Sequence, residues 1–198
     1  MKNPILIALL LLSACAKENR QIIPLTAIDH NIYHSAPFIK YTIPAGSQYC
    51  NETSYVPTSC SELSFTVKFD SSAIYKTTDP VNQDDINKLI GFSDNNSDHH
   101  SFSARFGWRW SNNALRLFGY TYNNSFREYK ELGTINIGTE SNCSIKVAGN
   151  QYLFILNGHL DSMTRSSTSS PAIGYKLFPY FGGDEMAPHE ISIWIREL

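Results

Sequence analysis

The chain has little charge, no run of like charges and no long apolar segment. Charged residues make up 17% of its 198 residues, and 16 Lys and Arg stand against 18 Asp and Glu for a formal net charge of −2. Without a basic stripe, nucleic acid is excluded as a partner. The longest N-terminal apolar run, Ile5 to Leu12, falls well short of the roughly 20 residues needed to cross a bilayer. Four cysteines, at 15, 50, 60 and 143, match no Cys/His spacing of a zinc centre, so no metal ligand is assigned. Helical periodicity is nearly missing, and no internal repeat is present.

At the N-terminus, Lys2 and the apolar run have the form of a signal peptide. Leu12-Ser13-Ala14-Cys15 resembles a bacterial lipobox, in which the cysteine thiol is acylated and cleavage makes that cysteine the new N-terminus. This implies a signal peptide over 1–14, a charged tether over 15–21 and one domain over 22–198. It also implies a cell-envelope lipoprotein whose first partner is the membrane, most simply the outer membrane, held by acyl chains (palmitate among them) on Cys15. In an exported chain, Cys50 and Cys60, which enclose the polar loop NETSYVPTS, are expected to form a disulfide. Cys143 is left unpaired.

The remainder reads as β-structure. Leu63, Phe65, Val67 and Phe69 alternate with polar residues, and Phe102 to Trp110 alternates as cleanly, the period-2 pattern of half-buried strands. Ser111-Asn112-Asn113 links the second of these to a partner strand over 115–122, and Asn157-Gly158 is a further hairpin signal. Final strands are expected over 173–180 and 190–197. One short helix is predicted over 84–90, from an acidic first turn and a C-capping Gly91. Many short strands separated by turns predict an all-β, antiparallel two-sheet sandwich.

The segments NQDDINKLIGFSD, HHSFSARFGWRW, YLFILNG and YKLFPYFGGDEMAPHEISIWI are similar to those of uncharacterised lipoproteins from Bacteroides-type bacteria. That resemblance implies a concanavalin-like jelly roll, a fold shared with laminin-G-like modules, lectins, glycoside hydrolases and alginate-type lyases. It supplies no activity, because fold does not fix function.

Candidate sites follow from strand geometry. Arg105 and Arg109 share a face, about 13 Å apart at the rise of a strand, and Gly107 between them would leave room for a ligand ring. Arginine suits carboxylates and sulfates, so a glycan with acidic sugars fits a concave face carrying Arg105, Arg109 and the strand-borne Tyr120 and Tyr122. Trp108 and Trp110, on the opposite face with Phe102 and Phe106, are assigned to the core. The loop Asp98-His99-His100 lacks the EF-hand pattern and is read as solvated. Asp184 and His189 flank the Gly182-Gly183 turn and Pro188. Either they form a buried hydrogen bond bracing the sheet crossover, or this corner takes a ligand or Ca²⁺; no other cofactor is implied.

Catalytic patterns are weak. No E-x-D-x-x-E run for glycoside hydrolysis is present, and no G-x-S-x-G elbow. Relative to the alginate-type lyases, SARFGWRW and Tyr175-Lys176…Tyr180 echo two motifs, while the Gln-x-His motif is missing. The expectation is non-catalytic polysaccharide binding. The alternatives are a polysaccharide lyase acting on uronate-containing glycans, and a structural or adhesive envelope protein.

Overall fold

The structure, a computed structural model, describes residues 36–198. The signal peptide, the tether with Cys15, and residues 22–35 of the expected domain lie outside the described residues. Twelve strands are present among those described: β1 Ile39–Ile43, β2 Pro57–Cys60, β3 Glu62–Phe69, β4 Asn87–Ser93, β5 Phe102–Ser111, β6 Ala114–Asn123, β7 Phe126–Ile135, β8 Ser141–Ala148, β9 Gln151–Leu156, β10 His159–Thr164, β11 Ala172–Leu177 and β12 Ile191–Glu197. They form two six-stranded sheets, ordered β1-β12-β3-β8-β9-β10 and β2-β11-β4-β5-β6-β7. All pairings are antiparallel. The predicted all-β jelly-roll sandwich is the observed fold.

The long β5–β6 hairpin follows from its turn. Asn112 and Asn113 both take positive φ, 52° and 55°, the backbone of the two-residue turns that suit strand twist. Register then runs from Ser111↔Ala114 to Phe102↔Asn123. Asn157 and Gly158 (φ 49° and 85°) close β9–β10 in the same way.

The core lies between the sheets. Phe65, Val67 and Phe69 of β3 and Ile191, Ile193 and Ile195 of β12 face Leu89, Phe106, Trp108 and Leu117 of the other sheet, all buried. Phe65 meets Phe106 edge-on with ring centroids 5.4 Å apart, and Phe69 meets Trp108 at 5.1 Å. Trp108 and Trp110 therefore belong to the core side, as their alternation predicts.

Three expectations are corrected. Residues 84–90 do not form a helix. A 3-10 turn over Pro80–Asp84, capped by Asp79, leads directly into β4. Leu89, Ile90 and Phe92 are all buried, and pairing with β5 outweighs the weak local preference of an acidic turn. Gly91 is no helix cap; it lets β4 pass against Arg105, whose side chain a Cβ at position 91 would strike. The Cys50–Cys60 disulfide is not formed, and Cys50, Cys60 and Cys143 are free thiols. Cys50 turns inward, its Sγ donating to the Glu52 carbonyl oxygen at 3.0 Å, whereas the extended chain after it carries Cys60 to the end of β2, opposite Ala172.

One buried ion pair ties the loop after β10 to the loop after β4. Arg165 Nε donates to Asp94 Oδ2 at 2.8 Å, and the Tyr152 hydroxyl donates to the same oxygen at 2.6 Å. Ser169 Oγ donates to Asp94 Oδ1 at 2.8 Å. Burial alone would raise the Asp94 pKa, but these donors outweigh it and the carboxyl titrates below its ordinary range.

Candidate functional site

A groove of about 620 Å³ crosses the outer face of the second sheet. Its floor comes from alternate residues of central strands: Lys88 of β4, Ser103 and Arg105 of β5, Tyr120 and Tyr122 of β6. One wall is the loop around Tyr49 and Glu52–Tyr55. The other is β11 with the segment that follows it, carrying Tyr175, Phe178 and Tyr180. Arg127 and Asp184 stand at the rim.

Arg105 is only 7% exposed. Its Nη2 donates to the Leu89 and Phe178 carbonyl oxygens at 2.7 and 2.6 Å, which locks the guanidinium in place, while its Nε has no partner among the described residues. Burial brings its pKa down to about 10. Lys88 is likewise depressed, to about 8, first by burial and then by the Arg105 charge, with Asp85 opposing. Its Nζ lies over the Tyr120 ring at 5.2 Å and the Tyr180 ring at 5.9 Å, and Gly182 provides the space that this ammonium occupies against Tyr180. Among the described residues neither Arg105 nor Lys88 has an ion-pair partner. A desolvated cation is costly unless an anion faces it, so the floor is built to receive negative charge.

Tyr120, Tyr175 and Tyr180 are held as neutral phenols, because burial raises the pKa of each. The Tyr180 hydroxyl donates to Gln48 Oε1 at 2.6 Å, and Gln48 Nε2 in turn donates to the Gly183 carbonyl oxygen at 3.1 Å. Tyr120 and Tyr122 meet with ring centroids 5.9 Å apart. Aromatic faces flanked by fixed donors suit sugar rings, which present C–H faces and hydroxyl edges.

The structure unites Arg105, Tyr120, Tyr122 and Asp184 in this groove and separates Arg109 and His189 from it. Arg109 bends to the Asp84 main chain, donating to its carbonyl oxygen at 2.6 Å, with its guanidinium over Phe118 at 4.9 Å. The cause is Gly107. The gap it leaves is filled by Ile86, not a ligand, and buried Ile86, Phe118 and Tyr120 form a small cluster beside the groove.

Asp184 and His189 do not touch. His189 Nε2 donates to the Ser72 carbonyl oxygen at 2.8 Å, whereas the Asp184 backbone N–H donates to Asp85 Oδ2 at 3.1 Å and its side chain lies at the groove rim. The two side chains therefore make neither the buried brace nor a shared Ca²⁺ site. The brace at this corner is Glu185, whose carboxylate accepts from the backbone N–H groups of Thr78 and Asp79 and from Asn82 Nδ2, at 2.8, 2.8 and 2.9 Å.

No protein-family model matches the chain, and no curated protein sequence matches it. Among solved structures, the chain is similar to the alginate lyase AlyC3, with a TM-score of 0.57 at 7% identity over 81% of this chain and 74% of that one. The same lyase in complex with dimannuronate gives 0.52 at 8% identity, over 81% and 73%. The alginate lyase from Klebsiella pneumoniae gives 0.47 at 16% identity, over 69% and 58%. At such identities the likeness defines the class of fold, an antiparallel jelly roll, and leaves the chemistry to the groove.

Proposed function

We propose that this protein binds an acidic polysaccharide, of the uronate-containing class, along the groove on its second sheet. One observation carries the reading: buried Arg105 and half-buried Lys88 are neighbouring cations with no carboxylate partner among the described residues, set beside tyrosine rings. A sugar carboxylate placed there would offset the desolvation of both, and the tyrosines would supply stacking faces. The alginate lyase AlyC3, seen with dimannuronate, has the same fold, which is compatible with this ligand class. Calorimetry with uronate oligosaccharides and with neutral glucans of equal length tests the reading. Binding of the uronates alone, lost in Arg105→Ala, is expected; failure of every uronate polymer, or equal binding of neutral glucans, overturns it.

A lyase reading draws on one observation, the Lys88 ammonium lying against the Tyr180 ring, since a nearby cation favours a phenolate base. Against it, the net shift of Tyr180 is upward through burial, which keeps the phenol protonated at neutral pH. Binding is therefore the preferred function. Incubation with uronate polymers while following the absorbance of an unsaturated product separates the two, and accumulation of that product would make the protein an enzyme. We also propose that the chain is a lipid-anchored envelope protein of the Bacteroides-type family it resembles. Incorporation of a palmitate analogue, abolished in Cys15→Ala, is the expected result, and unlabelled wild-type protein would remove the anchor.

A further inference from the structure

At the margin of the groove, the turn between β4 and β5 gathers donors of a different kind. We propose that Asp98, His99 and His100, together with the Tyr175 hydroxyl, bind a divalent transition-metal ion of the zinc type. One ligand atom from each of Asp98, His99 and His100 lies within 4.8 Å of the others. His99 Nδ1 is 3.7 Å from Asp98 Oδ2, and His100 Nδ1 is 3.5 Å from Asp98 Oδ1. The Tyr175 hydroxyl, arriving from β11, lies 2.8 Å from His99 Nδ1 and 3.4 Å from Asp98 Oδ2. Four donor side chains from two separate segments thus converge on one small volume.

Consecutive histidines on a strand would point to opposite faces. Here the chain turns: Ser101 and Phe102 N–H both donate to the Asp98 carbonyl oxygen, at 2.9 and 3.1 Å. The two imidazoles therefore lie together, with centroids 4.1 Å apart. The donors are also held before any ion arrives. The His100 N–H donates to Asp98 Oδ1 at 2.8 Å, the His99 N–H to the Tyr175 hydroxyl at 3.1 Å, and Ser103 Oγ to the His99 carbonyl oxygen at 2.7 Å. The His100 ring additionally rests edge-on to Tyr122, with centroids 5.3 Å apart.

Two imidazoles with one carboxylate suit borderline ions such as zinc or copper, whereas calcium and magnesium take oxygen ligands almost exclusively. Metal–ligand distances of about 2.0–2.2 Å place tetrahedral donors roughly 3.5 Å apart, close to the 3.5 and 3.7 Å already present. The widest separation closes by rotation of His100, whose side chain is exposed. The loop is solvated as expected, with Asp98 and His100 exposed, and the proposed site stands whether or not the groove takes a glycan.

Zinc titration of metal-free protein by calorimetry, with cobalt(II) as a spectroscopic probe, tests the proposal. The expected result is one equivalent of zinc per chain, a visible cobalt band of tetrahedral or five-coordinate character, and affinity at least about tenfold weaker in His100→Ala and in Asp98→Asn. His159→Ala, on exposed β10, should bind as the wild type does. His100 is exposed, so its variant should keep the wild-type melting temperature even if His99→Ala does not fold. Absence of stoichiometric zinc binding, or affinity unchanged in folded His100→Ala, overturns the assignment.

Discussion

Lys88 and Tyr180 exchange both of their backbone hydrogen bonds, at 2.8 and 3.0 Å, although 91 positions separate them in the chain. This two-residue bridge ties the segment after β11 to the start of β4 and fixes the Lys88 ammonium between two aromatic rings. The position of this perturbed cation is thus set by main-chain register, and substitutions of its side chain should leave the fold in place.

A pH dependence follows. Lys88 titrates at about 8, so in the free protein it is mostly charged at pH 7 and mostly neutral at pH 9. Affinity for a uronate oligosaccharide is expected to fall across that interval, and the bound carboxylate should draw the Lys88 pKa upward. Lys88→Met should bind about tenfold or more weakly at pH 7, from the loss of a charge-assisted contact, with a flat profile from pH 7 to 9. The sign for stability is the opposite. The folded-state pKa lies below the ordinary value of 10.5, so the unfolded chain binds more protons between about 8 and 10.5 and the Lys88 contribution makes the fold more stable as pH rises through that window. Binding isotherms and denaturant melts at three pH values measure both effects.

Arg105 is expected to act through shape as well as charge. Its Nη2 satisfies two main-chain carbonyls, while its buried Nε has no partner among the described residues. Lysine retains the charge but cannot reproduce the planar fork. Arg105→Lys is expected to keep much of the thermal stability and to lose about tenfold or more in uronate affinity, and calorimetry paired with a thermal melt checks the split. Wild-type affinity in Arg105→Lys would show that charge alone is read.

The half-buried strands were legible because one face of each is sealed and the other wet, which imposes alternation on residues such as Phe65, Val67 and Phe69. β4 was not, because Asn87 to Ser93 is covered almost throughout and a strand sealed on both faces loses its period; the acids Asp84 and Asp85 ahead of it then imitate a helix start. For the same reason Lys88 could not be placed in the groove from sequence, whereas Arg105, on cleanly alternating β5, could. The Asp184–His189 corner failed differently. Spacing put the two close in sequence, but the Gly182–Pro188 turn sends one to the groove rim and the other to Ser72. The Asp98–His100 cluster depended on a turn and on Tyr175 from a distant strand, neither of which a motif search reports.

Gly107 offers a direct check of why Arg109 is out of the groove. A Cβ at this position would strike Ile86 Cγ2. Gly107→Ala is therefore expected to destabilise the fold by about 1–3 kcal/mol, the usual cost of overpacking. In the Ile86→Ala background the same change should cost markedly less, because the colliding atom has been removed. A double-mutant cycle by denaturant unfolding yields the coupling directly. Additive effects would mean that Ile86 does not occupy the Gly107 gap.

The Asp94–Arg165 pair should dominate the acid limb of stability. Its carboxylate is buried and accepts from Arg165, Tyr152 and Ser169, and its pKa is lowered below the ordinary 3.8. With the folded value depressed, the stabilisation is fully present above the unfolded pKa and is lost as pH falls through the folded one. Wild-type protein should therefore stay folded through mild acid and weaken steeply below about pH 4. Arg165→Leu leaves the carboxylate buried without its cation and should cost about 3–5 kcal/mol at neutral pH. Asp94→Asn removes the charge from the other side, so Arg165 becomes the uncompensated ion and the loss should be comparable, with the acid limb flattened. If instead Arg165→Leu melted like the wild type at pH 7, the loop from Arg165 to Ser170 would be held by its serines alone.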